Sequence, residues 1–209
     1  MTASPPPVAL AYLHPGMVAH SFMASVLQTL MLHPGLTIWP IRSGPLAIPE
    51  SRNFAVGQLL DSDLDWLWFA DADMGFAPTM LGNLLAVADP AERPVVTAPA
   101  MTVIDSDVSD GMGGVQQLIH PNLYVSDGND FQALPLPLPE DALLQVDGCG
   151  AAMLLIHRSV LEKLGPACFD RLDGLGEDLS FCTRLAQAGF PLHAHTGLKT
   201  THYKPMWLS

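Results

Sequence analysis

Asp65–Met74, DWLWFADADM, is the stretch that decides how this chain is read. The apolar run from Trp66 to Ala70 predicts a central strand buried in the interior. It breaks into Asp71 and Asp73, two carboxylates one residue apart. In open α/β sheets ligands sit beyond the carboxyl ends of the strands, so the pair falls where a site is expected. Alternate residues of an extended loop can direct two carboxylates around one hard cation, and magnesium or manganese takes a few such oxygens while keeping water and substrate phosphates. The plainer alternative is a turn with two solvated aspartates.

Outward from this stretch, strand-like and helix-like segments alternate. VALAYL (8–13) predicts a strand that stops at His14-Pro15-Gly16. Residues 18–32 space Phe22, Val26 and Leu30, with Met23, Leu27 and Met31, at helical intervals. LTIWPI (36–41) predicts a second strand, and Pro40 puts its end near a sheet edge. PESRNFAVGQLLDS (49–62) predicts a helix with Pro49 near its start and Phe54, Leu59 and Leu60 available to pack. Beyond the aspartates come DADMGF as a loop, a helix from Pro78 to about Val87, and a strand in PVVTAPA. The alternation predicts a three-layer α/β/α sandwich with a mostly parallel, Rossmann-like central sheet.

From 101 to 139 the pattern loosens: DSDVSDGMGG predicts a flexible acidic loop, QQLIHPNLYV a strand or hairpin, and LPLPLPE an extended segment. Regular structure resumes with a strand to Val146, a Gly-rich turn, a strand at 152–156, and a helix ended by Gly165-Pro166. GEDLSFCTRLAQAGF predicts a helix carrying Glu177 and Asp178 in its first turn, where acidic residues suit the dipole, and Gly189 at its end. The final PLHAHTGLKTTHYKP predicts one short strand.

With 209 residues and no shift in composition, a single domain spanning 1–209 is expected. Hydrophobic residues at 49% against 14% charged exclude a disordered chain. A net charge of −12 with nine Lys and Arg argues against duplex DNA as a partner. Cys149, Cys168 and Cys182 are odd in number and lack a CxxC pair, so they predict neither a disulfide framework nor a zinc knuckle, and a reducing cytoplasm is expected. No Asp, Glu, Lys or Arg occurs from Met1 to Ile41. That stretch nonetheless lacks a basic leader and is cut by Pro34-Gly35, which predicts a buried core helix and no membrane span.

DWLWFADADM resembles the DxD segment of the GT-A fold glycosyltransferases, and GEDLSFCTRLAQAGF resembles the ED helix of that fold's large family-two-like group of nucleotide-diphospho-sugar transferases. YLHPG, SRN before the DxD strand, DGCGAAMLLIHR and a late histidine follow in the family's order, so the resemblance covers about Val8 to His202. It implies a metal-dependent hexosyltransferase that moves a sugar from a UDP- or GDP-sugar to a hydroxyl of a glycan, small molecule, protein or modified base. The resemblance makes Asp73 the main ligand of Mn2+ or Mg2+. Asp71 would share that site while touching the ribose or donor sugar, and His202 would complete it. Tyr12, His14 and Pro15 would border the nucleobase, and Arg52 would lie near the donor, the alternative being an ordinary surface arginine. Asp178, beside Glu177, would be the catalytic base of an inverting enzyme; the late histidine is frequent among retaining ones, and the stereochemistry stays open. Compact stand-alone relatives occur in bacteria and phages, which implies a bacterial or phage-infected host cell.

Gly148 and Gly150 would let the backbone approach the donor or acceptor, with Asp147 on a sugar hydroxyl, the alternative being a tight inter-strand turn. The acidic loop Asp105 to Gly114 is a candidate lid and Trp207 a candidate stacking platform. His193 and His195 alternate on a strand and form a rival metal pair. Two other readings remain beside the transferase. A nucleotidyltransferase would want a Gly-rich basic loop that YLHPGMVAH lacks, and a sugar-nucleotide or carbohydrate-binding module would keep the fold without turnover.

Overall fold

The structure, a computed structural model, describes residues 6–43, 48–109, 115–128 and 130–203. In chain order its elements are β1 (Val8–His14), α1 (His20–Leu32), β2 (Thr37–Arg42), α2 (Ile48–Leu60), β3 (Trp66–Ala70), β4 (Met74–Phe76), α3 (Met80–Val87) and β5 (Val95–Thr97). An antiparallel ribbon follows, β6 (Met101–Ser109) with β7 (Val115–Pro121), then β8 (Leu123–Ser126), β9 (Phe131–Ala133), β10 (Leu143–Val146) and β11 (Gly148–Cys149). The chain continues through β12 (Met153–His157), α4 (Arg158–Leu164), α5 (Glu177–Gln187), β13 (Leu192–His195) and β14 (Thr200–His202).

Seven strands form the main sheet in the order β10-β13-β5-β12-β3-β1-β2. β1, β2, β3, β5 and β13 run one way; β12 is antiparallel to both β3 and β5, and β10 is antiparallel to β13. The sheet is therefore mixed, with a parallel majority. β2 lies at an edge, where the missing N–H of Pro40 does little harm.

Side chains of a strand alternate between faces, and here both faces are covered. Leu67 and Phe69 of β3 join Ala9, Ala11, Leu154 and Ile156 in a core shared with α2, α4 and α5. Trp66, Trp68 and Ala70 join Val8, Leu10, Met153 and Leu155 in a second core shared with α1 and α3. That arrangement gives three layers, and it explains why the central strands read as unbroken apolar runs.

Four expectations need correction. α1 is not buried all round: Phe22 and Val26 are buried, while Met23, Leu27 and Met31 face solvent. In α2 the inward face is Arg52, Ala55, Val56 and Leu59, spaced by the helical period, which leaves Phe54 59% exposed. The DADMGF loop closes into β4, which pairs with β14, so the C-terminal part holds two short strands where one was expected. The acidic segment from Asp105 begins as strand β6 paired with β7, its tip at 110–114 lying outside the described residues, as does Trp207.

Candidate functional site

At the carboxyl end of β3 the backbone turns sharply and is pinned from three sides. Asp71 N–H donates to Ala152 O at 3.0 Å, Ala19 N–H donates to Ala72 O at 2.8 Å, and Tyr203 N–H donates to Asp73 O at 2.8 Å. The turn thus joins β12, the start of α1 and the end of β14. Its two aspartates address different partners. Asp71 Oδ1 accepts from Arg52 Nη2 at 3.4 Å, whereas Asp73 Oδ2 lies 3.0 Å from His202 Nε2.

Arg52 is the centre of the acidic group. Its side chain is 5% exposed, which removes the surface-arginine alternative. The guanidinium lies over the rings of Phe69 and Phe169, at 5.2 and 5.9 Å from their centroids. Nε is 3.6 Å from Asp178 Oδ1 and 3.8 Å from Glu177 Oε1. One buried cation from α2 therefore binds the end of β3 to the start of α5. Burial works to lower the Arg52 pKa, but the charges of Asp178, Asp71 and Glu177 outweigh it and the net displacement is upward. Glu177 also meets Arg171 at 3.7 Å.

Asp178 sits at the N-terminus of α5, where Ser180 Oγ donates to Gly176 O and accepts from Leu172 N–H. Its Oδ1 is buried and lacks a hydrogen bond, since Arg52 Nε stands just beyond reach, while the side chain as a whole is 29% exposed. Burial is the main cause that lifts the Asp178 pKa from 3.8 to about 6; Arg52 opposes the rise, and Glu177 and Asp71 add to it. A carboxylate with that affinity, open on one side, is suited to taking a proton near neutral pH.

Five of these groups line one cavity of about 600 Å³, of which His202 and Arg171 are not part. Its polar wall is Arg52, Asp71, Asp73, Glu177 and Asp178; its apolar wall is Leu13, Pro15, Met17, Val18 and Ile48. Ser43, Tyr203, Ala19 and Ala72 complete the lining. Four carboxylates against one guanidinium leave it an acidic pocket.

Among the described residues no group of three or more His, Cys, Asp and Glu side chains is placed to hold a metal. Asp71 is drawn toward Arg52, so the expected trio of Asp71, Asp73 and His202 reduces to the pair Asp73 and His202. That pair still fits a divalent cation. Both ring nitrogens of His202 face acceptors, Nδ1 at 2.8 Å from Met101 O and Nε2 at 3.0 Å from Asp73 Oδ2; with Nδ1–H donating to the carbonyl, a cation placed between Nε2 and Asp73 would take both as ligands in place of the direct contact. A ligating histidine is typically oriented in this way by a backbone carbonyl, and the carboxylate and imidazole set suits manganese.

Other expected site residues are placed differently. Pro15 lines the cavity, but the Tyr12 ring packs edge-on against Phe22, 4.9 Å between centroids, because alternation along β1 turns it to the α1 side and brings Leu13 to the cavity. His14 Nδ1 accepts from Gly16 N–H at 3.2 Å and is not part of the lining. Gly148 and Gly150 are also outside it. A Cβ on Gly148 would meet Leu179 Cδ2 and Phe131 Cε1 at 2.9 Å, and one on Gly150 would meet Asn122 Nδ2 at 2.6 Å, so the protein's own packing demands glycine there. Asp147 Oδ2 accepts from Ser126 N–H at 2.8 Å. His193 and His195 have no third ligand among the described residues, His195 facing Asp141 at 3.9 Å. Leu13, Ile48 and Tyr203 were not singled out from the sequence; only the adjacency of Tyr203 to His202 hinted at one of them.

No family model and no curated protein matches the sequence. Solved structures do match the fold. The crystal structure of A197 from STIV superposes with a TM-score of 0.64 at 20% identity, over 95% of this chain and 86% of that one. GalNAc-T7, solved with UDP, GalNAc and Mn2+, superposes with a TM-score of 0.61 at 13% identity, over 95% of this chain and 43% of that one. The present chain thus spans less than half of GalNAc-T7. At these identities the likeness shows the fold alone, which is GT-A-like and Rossmann-type.

Proposed function

We propose that the protein is a metal-dependent glycosyltransferase that moves a hexose from a UDP- or GDP-sugar to an acceptor hydroxyl. The observation that carries this reading is one cavity, at the carboxyl ends of β1 and β3, whose lining holds both a half-open Asp178 and Asp73, the latter in contact with His202 at 3.0 Å. The apolar wall of Leu13, Pro15, Val18 and Ile48 receives the nucleobase. Asp73 and His202 would hold Mn2+ or Mg2+, which would supply positive charge to the diphosphate leaving group. Asp71, fixed by Arg52, is within the same cavity to accept a hydroxyl of the ribose or donor sugar.

Asp178 accepts the proton of the acceptor hydroxyl as its oxygen bonds to the anomeric carbon and the bond from that carbon to the diphosphate breaks. The electron pair leaves with the nucleoside diphosphate, and the proton stays on Asp178. This favours the inverting route. Glu177, held between Arg52 and Arg171, stands beside Asp178, and its carboxylate adds to the rise in the proton affinity of Asp178.

The test is a thermal-shift screen against UDP, GDP, ADP, CDP and dTDP, with and without manganese, repeated for Asp73→Ala and Asp178→Asn. The reading expects a manganese-dependent rise with UDP or GDP that Asp73→Ala loses and Asp178→Asn keeps. Donor-sugar release should be lost in both variants. A shift indifferent to manganese, or none at all, would overturn it.

A further inference from the structure

The outer face of α1 is as apolar as the face it buries. Inward it presents Phe22, Ser25, Val26 and Thr29, two of them polar, and Thr29 Oγ1 has no hydrogen-bond partner. Outward it presents Met23 at 36%, Leu27 at 57%, Met31 at 84% and Leu32 at 53% exposure, together with the exposed polar residues His20 and Gln28. Met23, Leu27 and Met31 are each four residues apart and form one ridge along the helix. A helix apolar on both sides is usually covered on both, and an exposed methionine-rich ridge is a typical contact surface.

Charge decides what covers it. No Asp, Glu, Lys or Arg precedes Arg42, so α1, whose one titratable side chain is His20, brings no carboxylate, ammonium or guanidinium of its own in a protein with net charge −12. An anionic membrane would be repelled, and α1 lacks the lysines and arginines that flank interfacial helices. A basic partner would gain nothing on an uncharged face. A second copy of this chain can bring the same face together without opposing like charges.

The ridge is also self-complementary. Met23 and Met31 stand four residues to either side of Leu27, so two antiparallel α1 helices crossing at Leu27 pair each Met23 with Met31 of the second copy. We propose that the protein forms a two-fold symmetric dimer through α1, with Leu27 at the axis. A contact one 13-residue helix long is small, which makes the dimer reversible and dependent on concentration.

Sedimentation of the purified chain from low micromolar to several hundred micromolar should show a monomer–dimer equilibrium. Leu27→Glu sets two carboxylates against each other at the axis and should leave only monomer, with an unchanged circular dichroism spectrum and thermal midpoint because the position is exposed. Leu27→Cys should cross-link to a covalent dimer on mild oxidation and Gln28→Cys should not, the native cysteines being buried. A wild-type monomer at every concentration, a dimer that survives Leu27→Glu, or a Leu27→Cys protein that does not cross-link would overturn the proposal. So would binding to neutral vesicles that Leu27→Glu abolishes, since the ridge would then be a membrane surface.

Discussion

Asp178 and Arg52 pull against each other, and both ends of that contest are measurable. The native Asp178 carboxyl binds its proton up to about pH 6, the unfolded one only up to about 3.8. Between those values the native state holds a proton that the unfolded state has released, so stability falls as pH rises through the window, by about 3 kcal/mol for the full shift. Asp178→Asn removes the cost of the buried charge. The variant should be more stable than wild type by about 1–3 kcal/mol above pH 6 and equal to it below about pH 4, as read by urea unfolding at each pH. It should also lose transfer, whereas the wild-type rate rises with pH up to about 6 and then levels off. Arg52→Met has the opposite sign. It leaves Asp71, Glu177 and Asp178 facing one another without their shared cation and should cost about 3–5 kcal/mol in denaturant unfolding. Arg52→Lys should fall between, because an ammonium cannot span three carboxylates as a guanidinium does.

Among the elements, the short strand β14 does more than its length implies. It pairs with β4, sets His202 opposite Met74 in register, and carries the imidazole that touches both Asp73 and Met101 O. His202→Ala should therefore weaken manganese at least about tenfold, measured as the metal concentration needed for half of the nucleotide-induced thermal shift. The β8–β11 junction behaves differently. Asn122 O accepts from Gly150 N–H at 3.0 Å, and Asn122 Oδ1 accepts from Ala100 N–H at 2.8 Å, so Gly150→Ala displaces an asparagine that stitches two segments. It should cost about 1–3 kcal/mol of stability and leave the nucleotide-induced shift unchanged. A loss of nucleotide binding in a stable Gly150→Ala protein would restore the ligand-approach role for this glycine.

For the whole molecule the governing fact is an acidic cavity in an acidic protein. A nucleoside diphosphate brings further negative charge to a lining of four carboxylates and one guanidinium, so binding should require the divalent cation and vanish in EDTA. At a nucleotide concentration about a hundred times its Kd, the stabilisation is about 2.7 kcal/mol, which moves the midpoint of a chain this size by about 5–10 °C. Differential scanning calorimetry with manganese, with EDTA, and with manganese alone separates the cation's own effect from that of the complex.

The sequence alone specifies the layered α/β architecture and the sheet edge that carries the candidate cavity. Those properties are local: apolar runs, helical periods and turn residues act within a few positions, and the carboxyl end of a buried strand is legible as the point where DWLWFA meets Asp71. It also supplied Asp73, His202 and Asp178 as candidates, through motif order. Which partners those side chains meet is settled in three dimensions. Arg52 belongs to a helix whose pattern permits an outward arginine as readily as an inward one; three carboxylates from the turn after β3 and from α5, 19 to 126 positions away, draw it into the core. Asp71 parts from Asp73 for the same reason. The glycines at 148 and 150 answer to Phe131, Leu179 and Asn122, and the direction of Tyr12 answers to Phe22. Long-range packing and charge set these contacts, and neither leaves a trace in the spacing of neighbouring residues.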